Sequence, residues 1–364
     1  MKRMYLDYAA TAPLRPATKA AMLAVLEGVG NPSSIHREGQ NARFVLDDAR
    51  RTVAECLGVR SERVVLTSGA TEANNLALRG FAAVHPGKRI AVSALEHDCV
   101  RNTGAVLGAV VVPALPTGVV DVAALEALLK AGDVGLVSVM AVNNENGMIQ
   151  PVQEIALLCH RYGAVFHTDA VQAVGHMPVD VDAWGADFLS FTGHKLGGPQ
   201  GVGVLVTKPE IAMQAHITGG GQERNRRAGT ENLPGIAGLA AALQEAVRNM
   251  EAENRTCAVL AAEVEANLPE GVALVGEGAK APHIRQLILP QGTGEDAVIA
   301  LDMRGFAVSQ GSACSSGRTT GSTTLAAMGY GPDDARRGLR FSWGWASRPG
   351  DAAEAMTALK EYLA

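Results

Sequence analysis

Apolar positions change their spacing along this chain, and the spacing predicts the elements. Between Ile35 and Leu57 they fall at Ala42, Val45, Leu46, Ala49, Val53, Cys56 and Leu57, with charges on the other face, which is the period of an amphipathic helix. Residues 1–15 read as extended up to a turn at Pro13 and Pro16, and a first helix is expected to about Glu27. A rhythm then sets in: short β-branched runs at 64–66, 90–92, 109–112, 136–140, 164–166, 188–191 and 202–206. Helical patterns lie between them, such as Val122/Leu125/Leu128/Leu129 and Val152/Ile155/Ala156/Cys159/Tyr162. Strands alternating with helices predict an α/β fold whose mostly parallel central sheet carries helices on both faces.

The character changes after Gly219-Gly-Gly221. A polar stretch up to Thr230 holds Arg224, Arg226 and Arg227, and helical spacing from about 234 to 267 suggests one long helix bridging two domains. Weaker strands at 287–289 and 339–342 and a last amphipathic helix (Ala352, Met356, Leu359, Leu363) follow. The expected division is a large domain, 16–250, and a smaller α+β domain formed by 1–15 with 251–364.

Composition narrows the function little. A net charge of −5 gives no case for nucleic acid or an acidic membrane, and the three arginines read as a site or interface loop. No apolar run approaches the roughly 18 residues of a membrane span. The start, MKRMYLDYAATAP, lacks the apolar core of a signal peptide, so a cytoplasmic protein is expected. The cysteines (56, 99, 159, 257 and 314) show neither C-x-x-C nor metal spacing; four are expected to pack as small hydrophobes. No G-x-G-x-x-G follows a strand, and Gly87-Lys88 precedes Arg89, so there is no Walker loop.

The candidate chemistry lies at the strand ends, where open α/β sheets bind ligands. After 64–66 comes Ser68-Gly-Ala-Thr-Glu-Ala-Asn-Asn75, which opens a helix and suits a phosphate at free N–H groups, with Thr71 adding a hydroxyl. After 90–92 come Glu96 and His97, after 136–140 Asn143 and Asn144, and after 164–166 Asp169-Ala-Val-Gln172. After 188–191 comes Thr192-Gly-His-Lys195. A lysine in a turn is ordinarily a surface residue; here its neighbours suit a Schiff base with an aldehyde. Around a phosphorylated pyridine aldehyde, Asp169 would hold the ring nitrogen protonated, Gln172 would face the phenolic oxygen, and His97 would stack on the ring and move protons.

A second centre lies at about 309–324, where twelve of sixteen residues are Gly, Ser or Thr and Cys314 sits in the middle. Such a segment buries little and is expected to be a mobile loop, so its thiol reads as functional. Arg340, in the strand pattern Leu339-Arg-Phe-Ser342, has the planar fork that grips a carboxylate.

Together these motifs resemble the cysteine desulfurases, pyridoxal-phosphate enzymes of the class V aminotransferase group with fold type I. The resemblance runs over nearly the whole chain, from Tyr5-Leu-Asp-Tyr-Ala-Ala-Thr11 and Asn31-Pro-Ser-Ser-Ile-His36, through Ser68–Asn75, Asn143-Asn-Glu145, Asp169–Gln172, Gly193-His-Lys195, Gly219-Gly-Gly-Gln222 and Gly229-Thr230, to Gly311-Ser-Ala-Cys314 and Leu339-Arg-Phe-Ser342. The Gly-Ser-Ala-Cys context in a long loop is similar to the iron–sulfur-cluster and nitrogen-fixation branch. The resemblance implies that Lys195 carries the pyridoxal 5'-phosphate and shuttles protons, with Asp169, Gln172 and His97 placed as above. Ala70, Thr71, Thr192 and His194 would hold the phosphate, and Thr230 would reach the phosphate of a second copy, making a homodimer with shared sites. Asn144 and Arg340 would bind the carboxylate of L-cysteine, and Cys314 would attack its sulfur and keep it as a persulfide for an acceptor protein such as an iron–sulfur scaffold. A selenocysteine lyase or another class V enzyme is the alternative enzyme, and a silent sulfur-carrier scaffold the alternative without catalysis. The segment after Cys314 departs from relatives, which often carry an acidic residue and a proline there, and this bears on the acceptor.

Overall fold

The computed structural model describes residues 3–311 and 321–364. A two-residue strand, β1 (Met4–Tyr5), opens the chain. The main sheet then takes β2 (Val64–Thr67), β3 (Arg89–Ser93), β4 (Val110–Val112), β5 (Val134–Ser138), β6 (Val165–Asp169), β7 (Phe188–Thr192) and β8 (Gly203–Thr207). Their order is β2-β8-β7-β6-β5-β3-β4. Neighbours from β4 to β7 pair parallel, while β8 runs antiparallel to both β7 and β2. The reversal has a simple cause: the stretch 193–202 between β7 and β8 is too short for a crossover, which needs about a dozen residues or more. Because β8 reverses twice, β2 points the same way as β7. The carboxyl ends of β2, β3, β5, β6 and β7 therefore share one edge.

Two strands sit away from their expected places. The apolar run at 136–140 predicts a strand two residues later than β5, and the run at 164–166 ends before the polar half of β6. His167 is kept inside the sheet by paired partners: its Nδ1 is 2.8 Å from Ser138 Oγ and its Nε2 is 3.1 Å from Ser190 Oγ. Cross-strand hydrogen bonds thus do what apolar side chains do elsewhere.

Each face of the sheet has its own apolar cluster. One gathers Leu46, Val53, Ile155, Phe166 and Leu239, the other Leu76, Phe81, Val92, Phe188 and Leu205. The helix Leu233–Ala266 is continuous over 34 residues. Its first half packs Leu239, Leu243 and Ala246 on the sheet cluster. Its second half packs Cys257, Leu260 and Val264 into a further cluster with Met4, Leu6, Phe341, Trp343 and Met356. That cluster is framed by β9 (Ala273–Leu274), β10 (Ile284–Ile288), β11 (Phe306–Ala307) and β12 (Gly338–Ser342), with β12-β10-β9 antiparallel and β1 parallel to β11.

Arg15 ties the arm after β1 to the rest. Its side chain is 2% exposed, its Nη atoms meet Glu253 at 2.7 and 2.8 Å, and its Nε donates to Leu196 O at 2.8 Å. Gly197, at φ +91, leaves the room: a Cβ there would lie 2.6 Å from Arg15 Cγ. Replacing Arg15 by Ala leaves Glu253 and the Leu196 carbonyl without their donor. The expected loss is about 3 kcal/mol, the scale for breaking a buried pair, read as a lower urea midpoint. An unchanged midpoint would show that the pair holds nothing together.

Candidate active site

The five strand ends surround a cavity of about 440 Å³. Lys195 enters it from the short turn Gly193–Lys195 that follows β7. Its Nζ donates to Ala9 O at 2.7 Å and Ala10 O at 2.6 Å, so the N-terminal arm forms the wall facing the amine.

One end of the cavity is built for an anion. The helix Ala70–Val84 starts at Gly69, and first-turn N–H groups have no carbonyl within the helix to bind. Its approach to the sheet requires Gly203, where a Cβ would lie 2.5 Å from Gly69 C and 2.9 Å from Ala70 N. Ala70, Thr71, Thr192 and His194 all line this end. Thr192 Oγ1 donates to Val202 O at 2.9 Å, and His194 Nδ1 lies 3.2 Å from Thr11 Oγ1. Burial, then Lys195, pushes His194 down to about 4, so it is neutral at pH 7. Glu72 caps the helix start by accepting from Ser68 N at 2.7 Å and from Arg227 Nε at 2.8 Å. Burial raises its carboxyl, but Arg227 and the Ser68 N–H outweigh it and hold it below the usual range.

Asp169 forms the floor at the end of β6, accepting from Asn74 Nδ2 at 2.7 Å and Val171 N at 3.0 Å. Burial raises its carboxyl above the usual aspartate value, because two neutral donors do not replace the lost water. Gln172 donates from Nε2 to Ala9 O at 3.0 Å. His97 caps the helix Asp98–Val106, its Nδ1 accepting from Cys99 N at 3.2 Å. Opposite, Asn144 and the buried Arg340 of β12 line the cavity. Arg340 donates from Nη1 to Asn144 O at 2.8 Å and pairs through Nη2 with Asp7 at 2.7 Å. Its Nε is buried with no hydrogen-bond partner among the described residues.

Two residues singled out by the sequence are not in the cavity as described. Thr230 is exposed and lies outside it. Cys314, with most of the 309–324 segment, lies outside the described residues. Cys99 packs against the second apolar cluster as expected, but it is half-buried and also lines the cavity, 3.1 Å from His97 Nδ1 and 3.2 Å from Asn74 Nδ2. Sequence reasoning also passed over Ala9, Ala10 and Asn74. Asn74 carried a signal, being a polar residue on the apolar face of its helix beside Ala73 and Ala77; the two alanines act through backbone oxygens and carried none. Among the described residues no cluster of His, Cys, Asp or Glu could hold a metal ion, and no helix is long and apolar enough to cross a membrane.

The chain belongs to the aminotransferase class-V family, whose model matches residues 4–348, and within it to the cysteine desulfurases. The cysteine desulfurase IscS of Dictyoglomus turgidum is 39% identical over 357 residues, covering 94% of this chain and 90% of that one. An IscS-like cysteine desulfurase of Mycobacterium tuberculosis is 38% identical, covering 98% and 95%. Among solved structures, a NifS-like protein from Rickettsia africae superposes with a TM-score of 0.92 at 31% identity, covering 99% of both chains.

The buried Asp169 has a measurable consequence. In the unfolded chain it titrates near 3.8, while in the folded chain it titrates higher. As pH rises through that window the unfolded state ionises first, so stability falls. Asp169→Asn lacks this penalty, and Asn74 can turn its Oδ1, which has no partner among the described residues, toward the new amide. Free of any cofactor, the variant should melt higher than the parent at pH 7, with the gap closing below about pH 4. A constant gap across pH would mean that the carboxylate is not the cause.

Proposed function

We propose that this cysteine desulfurase uses pyridoxal 5'-phosphate to convert L-cysteine to L-alanine and stores the sulfur on Cys314 as a persulfide. The observation that carries the reading is the buried Asp169 carboxyl on the same cavity as Lys195 and a helix N-terminus. These residues fit the cofactor. First-turn N–H groups, Thr71, Thr192 and neutral His194 would hold its phosphate. Asp169, short of a positive partner, would take a hydrogen bond from its protonated ring nitrogen. Gln172 Nε2 would turn toward its phenolic oxygen, and His97 would stack on the ring. When bound, the cofactor supplies an aldehyde for the substrate amine and a ring that spreads the charge left at the α-carbon.

The chain's own residues do the rest. Arg340 Nε, which has no partner among the described residues, would serve the substrate carboxylate, with Asn144 beside it. Lys195 Nζ removes the α-proton, and Ala9 O and Ala10 O fix the position from which it does so. Cys314 thiolate attacks the substrate sulfur. The S–S bond forms, the C–S bond breaks with its electron pair left on carbon, and a proton completes alanine. L-cysteine and one thiol become alanine and one persulfide, so no outside reductant is needed.

The exposed Thr230 suits a homodimer in which it serves the second copy's phosphate. Exposed Val29 (83%), Ile35 (91%) and Phe44 (72%) support an apolar interface. Residues 16–250 would form the cofactor domain, and 1–15 with 251–364 the smaller one, which the shared cluster of Met4 and Leu6 with Cys257 supports. The unpaired Cys56, Cys99, Cys159 and Cys257 suit the reducing cytoplasm. The sulfur would pass to an acceptor protein, such as an iron–sulfur scaffold.

Borohydride treatment of the cofactor-loaded protein should place a pyridoxyl mass on Lys195. Lys195→Ala should lower alanine formation by at least about 10²–10⁴-fold, the scale for removing a positioned acid–base group. Cys314→Ala should keep the cofactor's absorbance yet form no persulfide. Sulfide release from L-cysteine that continues unchanged in Cys314→Ala would overturn the mechanism.

A further inference from the structure

Glu145, the third residue of Asn143-Asn-Glu145, has no part in binding the substrate or in the proton transfer. Its side chain is buried, 2% exposed. Oε2 accepts from Ser322 Oγ at 2.5 Å and from Gln286 Nε2 at 3.3 Å, and Oε1 accepts from Thr324 Oγ1 at 3.0 Å. The same carboxylate abuts Gly311: a Cβ there would lie 2.8 Å from Oε2, and the residue sits at φ +145, so glycine is needed twice over. One side chain therefore meets the chain on both sides of residues 312–320, at Gly311 before and at Ser322 and Thr324 after.

Both contact points are themselves built in. Ser309 exchanges backbone hydrogen bonds with Arg340, at 3.2 and 2.6 Å. Ser322 Oγ caps the helix Thr323–Ala327 by accepting from Leu325 N at 3.0 Å, so its hydroxyl proton is directed to Glu145. Gln286 is the cross-strand partner of Arg340. On the other side, Glu145 directly follows Asn144, which lines the cavity and takes the Arg340 Nη1 hydrogen bond.

We propose that Glu145 is a positioning residue for the sulfur-transfer step: it fixes both ends of the cysteine-bearing segment to the turn that borders the substrate. The inference rests on the desulfurase reading, with Cys314 as acceptor. A tether with fixed ends confines its thiol to a small volume, and a tether with a loose end samples a larger one, so the encounter slows without any change at the cofactor. Glu145 touches neither the lysine nor the cavity's anion end, which separates its effect from that of the binding residues.

The experiment compares two readouts in the pyridoxal-phosphate-loaded protein. One is the L-cysteine concentration that half-saturates the change in cofactor absorbance; the other is the single-turnover rate of persulfide formation on Cys314, read by mass. For Glu145→Ala, half-saturation should stay within about two-fold while the persulfide rate falls about ten-fold or more, the equivalent of losing one or two buried hydrogen bonds. Ser322→Ala with Thr324→Ala should reproduce this from the other side, and adding both to Glu145→Ala should cost little more, since the three act as one contact. Glu145→Gln, which keeps the shape and one acceptor, should recover part of the rate and serves where Glu145→Ala does not fold. A persulfide rate within two-fold of the parent in Glu145→Ala and in the double variant overturns the proposal. So does an equal loss of binding and transfer, which would mark a merely structural residue. If the parent itself forms no persulfide on Cys314, the desulfurase mechanism fails first and this proposal falls with it.

Discussion

The contact between Lys195 Nζ and the carbonyl oxygens of Ala9 and Ala10 depends on the arm being tied at both ends. Before it, β1 pairs with β11, and Leu6 is buried with Phe341 and Trp343. After it, Arg15 is clamped between Leu196 O and Glu253. Glu253 lies on the long helix, between the half that packs on the sheet and the half that packs with the arm. The lysine that the sheet positions is thus addressed by a strap anchored outside the sheet. Its reach is set by packing on both sides, and a shift of either cluster would be felt at the amine.

Buried carboxylates in this chain differ by their partners, and the partners decide what each can do. Glu72 has an arginine and a backbone N–H, so it stays ionised and caps a helix. Asp169 has two neutral donors and is raised by burial, which the more distant charges of His97 and Lys195 offset only in part. Glu96 is raised further, by burial and then by Asp169, with a single backbone N–H from Met140 in return. Of the two, only Asp169 lines the cavity, so a cationic group bound there would lower its carboxyl. The charge balance of the cavity is in this sense set by burial before anything binds.

How much of this was legible in the sequence follows from what each feature is made of. The sheet and its edge were readable because apolar periodicity marks strands, and because His97, Asp169 and Lys195 fall just after them. The antiparallel β8 was hidden, since connection length, rather than strand composition, sets its direction. The early end expected for β6 came from counting only apolar residues, whereas Ser138, His167 and Ser190 keep the strand inside by bonding to each other. Backbone acceptors such as Ala9 O leave no trace in a side-chain pattern. The packing of Cys99 was legible, but its place on the cavity depends on Asn74 and His97, which come beside it only in the fold.

Lys195 and Cys314 are separated in sequence by more than a hundred residues, yet the short run Asn143-Asn144-Glu145 borders the cavity on one side and Gly311 and Ser322 on the other. Asn143 builds the turn: its Oδ1 accepts from Glu145 N and Asn146 N, and its Nδ2 donates to Leu95 O. With the turn rigid, Asn144 and Glu145 have fixed and different directions. Asn144 lines the cavity beside Arg340, while Glu145 faces Gly311 and Ser322. Under the proposed mechanism, a substrate beside Asn144 and the chain at Gly311 and Ser322 would share a frame of reference only a residue wide. Reactions between tethered groups gain from such a frame because the error in their relative position does not accumulate along the intervening chain. That Asn143 and Glu145 are buried, and that the Asn143 amide is engaged through both its oxygen and its nitrogen, is the physical reason a three-residue turn can hold the cavity wall at Asn144 in register with Gly311 and Ser322.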